Sequence, residues 1–577
     1  MTITHSLGRR ALSGVALAVA GALLVVGSPA LPAAAATSAS YPSDTTAPNL
    51  TTLLSGYYDY WQPETDASGA SRNSLHGTVT DTGKSVLARN DELASWINQH
   101  ATASQRFRAL QNAQYKNDPT QYDQSQSIAD GLGAVLGGIY AEGRRDGKLP
   151  LTDALINSQT GTSGAYVGSG AAKTAFSYPR PFLPLSPAAA LTPGDDVKCS
   201  ATAQGGNTLD VNASSLQGIR PANAQADGYT YTDAQGDLKI TRVAPMVDTT
   251  HVFSNSDVAL DAGYGQAGIC TGGAFPSGHT LTAYQAGLTL ATLIPELAPE
   301  VLARTSEAGN NRIVLGVHYP LDIMGSRTVS AAVIAHRWAD DAYRTQVLEP
   351  ARHELVSYLE SKCGDTLAHC IAEQNAAGQQ YQDDPYGGQA IPGGTSQIVT
   401  DRASAVKVYT ERLTYGFPAT SAPKAKTAAV PAEAQALLQT TYPQLTAAQR
   451  TSVLQQTEIP SGYPLSDSAA GWQQLNLAAA TSAKVEQHAD GSVAVLSVGV
   501  PAEVVTPAPA TPATPSPSVV PSASAPASAT VAPQASGRLP KTGAADATLP
   551  IGIAAGLVGL GLVSVLVSRR ARRRVDE

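Results

Sequence analysis

Pro276-Ser277-Gly278-His279-Thr280-Leu281-Thr282-Ala283-Tyr284-Gln285-Ala286-Gly287-Leu288-Thr289-Leu290-Ala291 sets a Pro-Ser-Gly-His tetrapeptide directly before a helical pattern. Leu281, Tyr284, Leu288 and Ala291 recur at helical spacing. A helix that begins near Ser277 points its first backbone N–H groups at the tetrapeptide and favours an anion there. Gly278 lets the backbone come close to such an anion and offer its own N–H.

Helical spacing extends to both sides. Ile128, Leu132, Val135, Leu136 and Ile139 share one face, as do Ile323, Val329, Val333 and Ile334. Pro320 suits the first turn of the latter helix, where its missing N–H costs nothing. Two short helices are expected over Val430 to Leu438 and Ala447 to Gln456, and another from Gln473 after Trp472. The stretch between Cys199 and Cys270 differs, being rich in Gly, Asn, Asp and Thr. There Tyr229 to Thr232 and Leu238 to Thr241 flank Asp233 to Asp237 as a small hairpin. This insertion is expected either to overhang the tetrapeptide as a lid or to be a surface excursion.

Two further stretches carry chemistry. Lys173 to Pro181 ends in Arg180-Pro181, and Arg312 to Asp322 contains His318. Lys173, Arg180 and Arg312 supply three cations, and Ser277 adds a hydroxyl. Arginine makes bidentate contacts with oxyanions, and lysine acts as a point charge. The set suits a tetrahedral phosphoryl group, whose transfer is driven by positioning and charge stabilisation. Neither a metal nor a cofactor is expected. Asp322 follows His318 by four residues and can accept from one ring nitrogen, leaving the other as a nucleophile. His318 is therefore read as the nucleophile, Asp322 as its orienting group and His279 as general acid, then base toward water. His336 is read as structural, and no role is given to His251.

Lys173, six residues, Arg180-Pro181; then Pro276 to His279; then Arg312, five residues, His318, three residues, Asp322: this order resembles the signature of the type 2 phosphatidic acid phosphatase superfamily. That superfamily includes bacterial class A acid phosphatases and vanadium-dependent haloperoxidases. One position departs, with Asn311 where the family has serine. The resemblance covers about residues 133 to 338, and more loosely 412 to 480. It implies an all-α helical-bundle phosphatase core, with the insertion and a C-terminal helical extension, and the same residue roles. It also leaves open a haloperoxidase that holds vanadate, a lipid-phosphate phosphatase at the outer membrane face, and a non-catalytic adhesin.

The two ends speak to location. Arg9 and Arg10, an apolar run from Ala11 to Val26 and small residues at Ala33 to Ala36 form a secretory signal, expected over 1–36. The arginine pair leaves the export route open between the general secretory and twin-arginine systems. Leu539-Pro540-Lys541-Thr542-Gly543, an apolar stretch over 549–567 and five arginines from Arg569 to Arg574 resemble the sorting signal of sortase-anchored Gram-positive surface proteins. The resemblance implies a transient membrane span, cleavage between Thr542 and Gly543, and attachment of Thr542 to peptidoglycan. Residues 501–538, rich in Pro, Ala, Ser and Thr, are expected to be an extended stalk. The expected division is thus a core over 41–370 with insertion 199–270, an extension over 371–500, the stalk, and the sorting signal over 539–577.

The chain holds 38 Lys+Arg against 46 Asp+Glu, a net charge of −8. Residues 37–543 alone hold 31 basic and 43 acidic residues, net −12. Such a surface argues against nucleic-acid partners and anionic lipid. The four cysteines are expected to pair as Cys199–Cys270 and Cys363–Cys370, since export makes disulfides plausible. No Cys-x-x-Cys occurs, so no zinc or redox site is expected.

Overall fold

The computed structural model describes residues 48–507, apart from 116–120, 165–166, 185–198, 200–224, 227, 235, 382–388, 421–429 and 467–470. The signal at 1–36, most of the stalk, the span at 549–567, Thr542 and Gly543 lie outside the described residues.

Before the insertion the chain forms α1 (Asp81–Gln99), α2 (Ala103–Gln111), a 3-10 helix over Gln124–Leu132, α3 (Ala134–Arg145), α4 (Pro150–Ile156) and α5 (Gly170–Phe176). After it come α6 (Gly278–Leu293), α7 (Ala298–Val314) and α8 (Pro320–Ala339). Then follow α9 (Glu349–Cys363), α10 (Leu367–Ala376), α11 (Arg402–Thr414) and α12 (Ala447–Thr457). The α6 helix packs on both α7 and α8. Its residues from Thr280 to Leu293 are all buried, as is the whole of α7. A helix buried on every face belongs to the centre of a core. The chain bends by 115° between α6 and the segment Pro295–Val314. Among the described residues no single helix is long and apolar enough to cross a membrane.

Helix ends position the chemistry. Ser277 caps α6, its side chain accepting from Thr280 N at 3.3 Å. Asp322 sits in the first turn of α8 and accepts the Tyr319 backbone N–H at 2.9 Å, a local bond that caps the start of the helix. The two starts are tied together: Ser326 Oγ donates to the carbonyl of Ser277 at 2.8 Å and to that of Asp322 at 2.7 Å.

Several expectations are corrected. The apolar face from Ile128 to Ile139 belongs to two helices, not one. Gly133 breaks them at φ 85°, a left-handed value that suits glycine, and Val135 is exposed. Gln374 of α10 takes up the freed carbonyl of Leu132 at 2.7 Å. Over 430–438 only Ala434–Leu438 is helical, as a 3-10 turn, whereas α12 lies where a helix was expected. After Trp472 the chain makes one short helix, Leu477–Ala480, and then a sheet. In that sheet Lys484–Gln487 runs antiparallel to Val493–Ser497 and parallel to Glu503–Val505. The extension is therefore mixed, and the ordered fold continues past 500 into the segment read as stalk. The molecule is mostly helical rather than all-α.

The insertion turns back on itself at Asp233 to Asp237 as expected: Thr232 bridges Leu238, Asp233 N donates to the Asp237 carbonyl at 2.9 Å and Lys239 N to that of Tyr231 at 3.0 Å. The start of the expected first strand, Tyr229–Thr230, pairs instead with Gln225–Ala226. A second ribbon joins Met246–Asp248 to Val258–Leu260. The insertion rests on α1 and the end of α7. Asn98 Nδ2 donates to the carbonyls of Thr241 at 2.9 Å and Val314 at 2.7 Å, while its Oδ1 accepts from Thr241 N at 2.7 Å. The disulfides pair as expected, Cys199–Cys270 and Cys363–Cys370.

Candidate active site

The start of α6, the end of α7, the start of α8 and the segment from α5 to Pro181 bring the three sequence stretches together. His318 is 2 % exposed and Asp322 fully buried. His318 Nδ1 lies 2.9 Å from Asp322 Oδ2. On the other side of the ring, Nε2 lies 3.0 Å from Arg180 Nη1, which also donates to the Val317 carbonyl at 3.1 Å. Arg180 is further held by the carbonyl of Gly272 at 3.2 Å, at the end of the insertion. A guanidinium only donates, so the Nε2 facing it carries a lone pair.

Lys173, near the end of α5, donates its ammonium to the carbonyls of Gly273 at 2.7 Å and Ala274 at 3.3 Å. Gly278 lines the same place. A Cβ on it would lie 3.9 Å from Lys173 Cε and 3.1 Å from Ser169 Oγ. Ser277 is fully buried, and its hydroxyl oxygen also accepts from Thr280 Oγ1 at 2.8 Å, leaving its own proton to donate. Arg312, in the last turn of α7, is 1 % exposed, and its Nε and Nη1 have no hydrogen-bond partner among the described residues. A buried guanidinium without an acceptor is costly, and an anion relieves that cost.

The electrostatics agree. Burial, then Arg180, lowers the pKa of Lys173 well below the usual amine range. Burial and Arg180 bring Arg312 down to about 9, and burial brings Arg180 down to about 10. Both remain cationic at neutral pH. Burial, then the three cations, holds His279 and His318 well below the ordinary imidazole value. Burial pushes Asp322 up to about 7, against the Tyr319 N–H, Lys173 and Arg180. Positive charge is thus crowded into a dry site, a condition that a bound anion would reverse.

His279 Nε2 lies 3.2 Å from the carbonyl oxygen of Ala113, and the Tyr115 ring stands edge-on to it at 4.7 Å. Ala113, Tyr115 and Ser169 were not singled out in the sequence, and no motif marks them. His336 instead pairs with Glu433 at 3.1 Å, and His251 with Asp257 at 2.8 Å on the surface. Among the described residues no group of three or more His, Cys, Asp or Glu side chains is arranged to hold a metal ion.

Residues 160–346 match the PAP2 superfamily model. An acid phosphatase of Zymomonas mobilis is 32% identical over 124 residues, covering 22% of this chain and 47% of that protein. A non-specific acid phosphatase of Providencia stuartii is 25% identical over 152 residues, covering 24% of this chain and 61% of its own length. One from Salmonella typhi is 34% identical over 83 residues, 14% of this chain and 33% of that protein. The chain thus spans about half the length of the curated relatives it matches. Lys173, Arg180, Ser277, Gly278, His279, Arg312, His318 and Asp322 all fall within 160–346, so the segment that builds this site is the one that matches the PAP2 superfamily.

Proposed function

We propose that this chain is a phosphomonoester hydrolase of the acid phosphatase type that works through a phosphohistidine. The observation that carries the reading is His318: one ring nitrogen bound to Asp322, the other presented as a lone pair among Arg180, Lys173 and Arg312. The acid phosphatases to which part of this chain is similar support it.

In the first step His318 Nε2 attacks phosphorus, the bond to the leaving oxygen breaks, and His279 gives that oxygen its proton. An alcohol and a phosphohistidine result. In the second step His279 takes a proton from water, the water oxygen attacks phosphorus, and the P–N electron pair returns to His318. Inorganic phosphate leaves. Lys173, Arg180, Arg312, Ser277 and the Gly278 N–H hold the equatorial oxygens in both steps. The depressed pKa of His318 keeps the nucleophile neutral into the acid range. The reading calls for no cofactor; vanadate enters only as a mimic of the transition state.

The signal and sorting motifs place the enzyme, in this proposal, outside the cell, with Thr542 joined to peptidoglycan by a sortase. A diffusible phosphate ester is then the substrate. The test is hydrolysis of an aryl phosphate by the purified protein, with and without EDTA, beside His318→Ala. EDTA-resistant turnover that vanishes in the variant is expected. No turnover from acid to neutral pH would sink the reading, and peroxidase activity with added vanadate would replace it.

A further inference from the structure

His279 meets the backbone carbonyl of Ala113, and Asn112, the residue beside Ala113, sits in a chain of buried polar side chains. Asn311, directly before Arg312, donates Nδ2–H to Asn112 Oδ1 at 2.6 Å. Asn112 caps the end of α2 and donates in turn to Ser127 Oγ, which donates to the Gln124 carbonyl at 2.8 Å. Gln124 closes the loop by donating Nε2–H to the carbonyl of His279 itself at 3.2 Å. Asn112 is 2 % exposed and Asn311 fully buried. Ala113, next to Asn112, is the residue whose carbonyl meets His279 Nε2.

We propose that Asn112 and Asn311 are positioning residues for the general acid: their hydrogen bond holds the Ala113 carbonyl on His279 Nε2 and so commits Nδ1 as the nitrogen that hands its proton to the leaving oxygen. The proposal rests on the phosphohydrolase reading above. A carbonyl only accepts, so the Nε2 facing it carries hydrogen in the neutral ring as in the cation. The second proton then sits on Nδ1. It passes to the leaving oxygen while the N–H electron pair stays on Nδ1.

The surroundings explain why such a hold is needed. His279 faces Lys173 from α5, Arg180 beyond it and Arg312 from α7, and all three oppose its protonation. His318, before α8, interacts with it as well. The Tyr115 ring edge covers it from the α2 side. Against these, the Ala113 carbonyl is the contact that favours the imidazolium. Serine at 311 ends one atom short of the amide nitrogen that reaches Asn112, so the departure from the superfamily signature at Asn311 has a structural counterpart in Asn112.

The test compares two substrates in Asn311→Ala and Asn112→Ala: an aryl phosphate with a good leaving group, which needs little proton donation, and an alkyl phosphate, which needs it fully. Losing general acid assistance is expected to slow the first step, read as release of the alcohol in the first turnover, by about tenfold or more on the alkyl ester and by no more than about threefold on the aryl ester. The falling limb of the alkyl pH profile should also move to lower pH. Equal losses on both esters, or none, would overturn the proposal, whereas a native protein inactive on both would overturn the phosphohydrolase reading with it. Should the alanine variants fail to fold, Asn311→Ser carries the same comparison. Independently of turnover, nitrogen-15 NMR of the neutral His279 ring should find hydrogen on Nε2; hydrogen on Nδ1 would overturn the assignment.

Discussion

Arg180 Nη1 stands 3.0 Å from His318 Nε2, so the cation that is to hold the substrate also covers the nitrogen that is to attack it. With Asp322 accepting from Nδ1, the ring has one lone pair, and Arg180 is bonded to it. In the proposed mechanism an incoming phosphoryl oxygen competes for that guanidinium and frees the lone pair as it binds. Binding and exposure of the nucleophile are thereby one event, which accords with catalysis by differential binding.

His279→Ala should separate the two chemical steps. With a good aryl leaving group the first step proceeds, but water then lacks its base. A burst of one phenol per protein is expected, followed by a stall of about a hundredfold in turnover. The trapped protein should carry an acid-labile phosphate on His318, detectable by phosphorus NMR. Steady turnover without a burst would count against the division of labour.

Anion binding should take up protons. His279 and His318 are held well below the ordinary imidazole value in the free site, so both are neutral near ~pH 6. A bound dianion raises them, and the complex then holds more protons than the free protein. Affinity must therefore rise as pH falls through the window between the bound and free values. Sulfate, which stays a dianion across this range, is the clean probe. Calorimetry in buffers of different ionisation enthalpy should show proton uptake near ~pH 6, and proton release would contradict the electrostatic account.

Gly278→Ala should damage binding without damaging the fold. The added methyl would press on Ser169 Oγ at 3.1 Å and stand beside Lys173 Cε at 3.9 Å. Alanine is otherwise welcome at a helix start. A fall of about 10- to 100-fold in kcat/KM with an unchanged melting temperature is expected. A drop in melting temperature without loss of kcat/KM would show that the glycine serves packing instead.

The two disulfides should differ in weight. Cys199–Cys270 closes a loop with a sequence separation of 71, and Cys363–Cys370 one of 7. Chain entropy assigns them about 4 and about 2–3 kcal/mol respectively. Replacing the first pair by serines should lower the melting temperature more than replacing the second. It should also raise KM, because the carbonyls of Gly268 and Gly272 beside Cys270 hold Arg180. Equal melting temperatures for the two variants would refute the ranking.

Much of the fold could be read in advance where a local signal was strong. Ser277 before an apolar helical run and Pro320 before another marked α6 and α8 within a residue. The sheet after Ala480 does not stand out in the sequence, although Asp490-Gly491, a hairpin turn pair, lies between Val485 and Val493. Alternating valines that short do not outweigh a helical reading of the preceding alanines. Gly133 is likewise silent, because one glycine inside an apolar period does not announce whether it bends the chain or merely weakens a helix.

By itself the sequence determined which groups meet locally. His318 and Asp322 are four residues apart across a helix start, and Ser277, Gly278 and His279 follow one another into a first turn, so backbone geometry alone sets their relation. Only the tertiary structure decided that Asn311 reaches Asn112 across 199 residues, that the Ala113 carbonyl meets His279, and that Arg312 is buried with two nitrogens lacking a hydrogen-bond partner among the described residues. Those contacts depend on how whole helices pack, and packing is set by the sum of many apolar contacts that no short motif encodes.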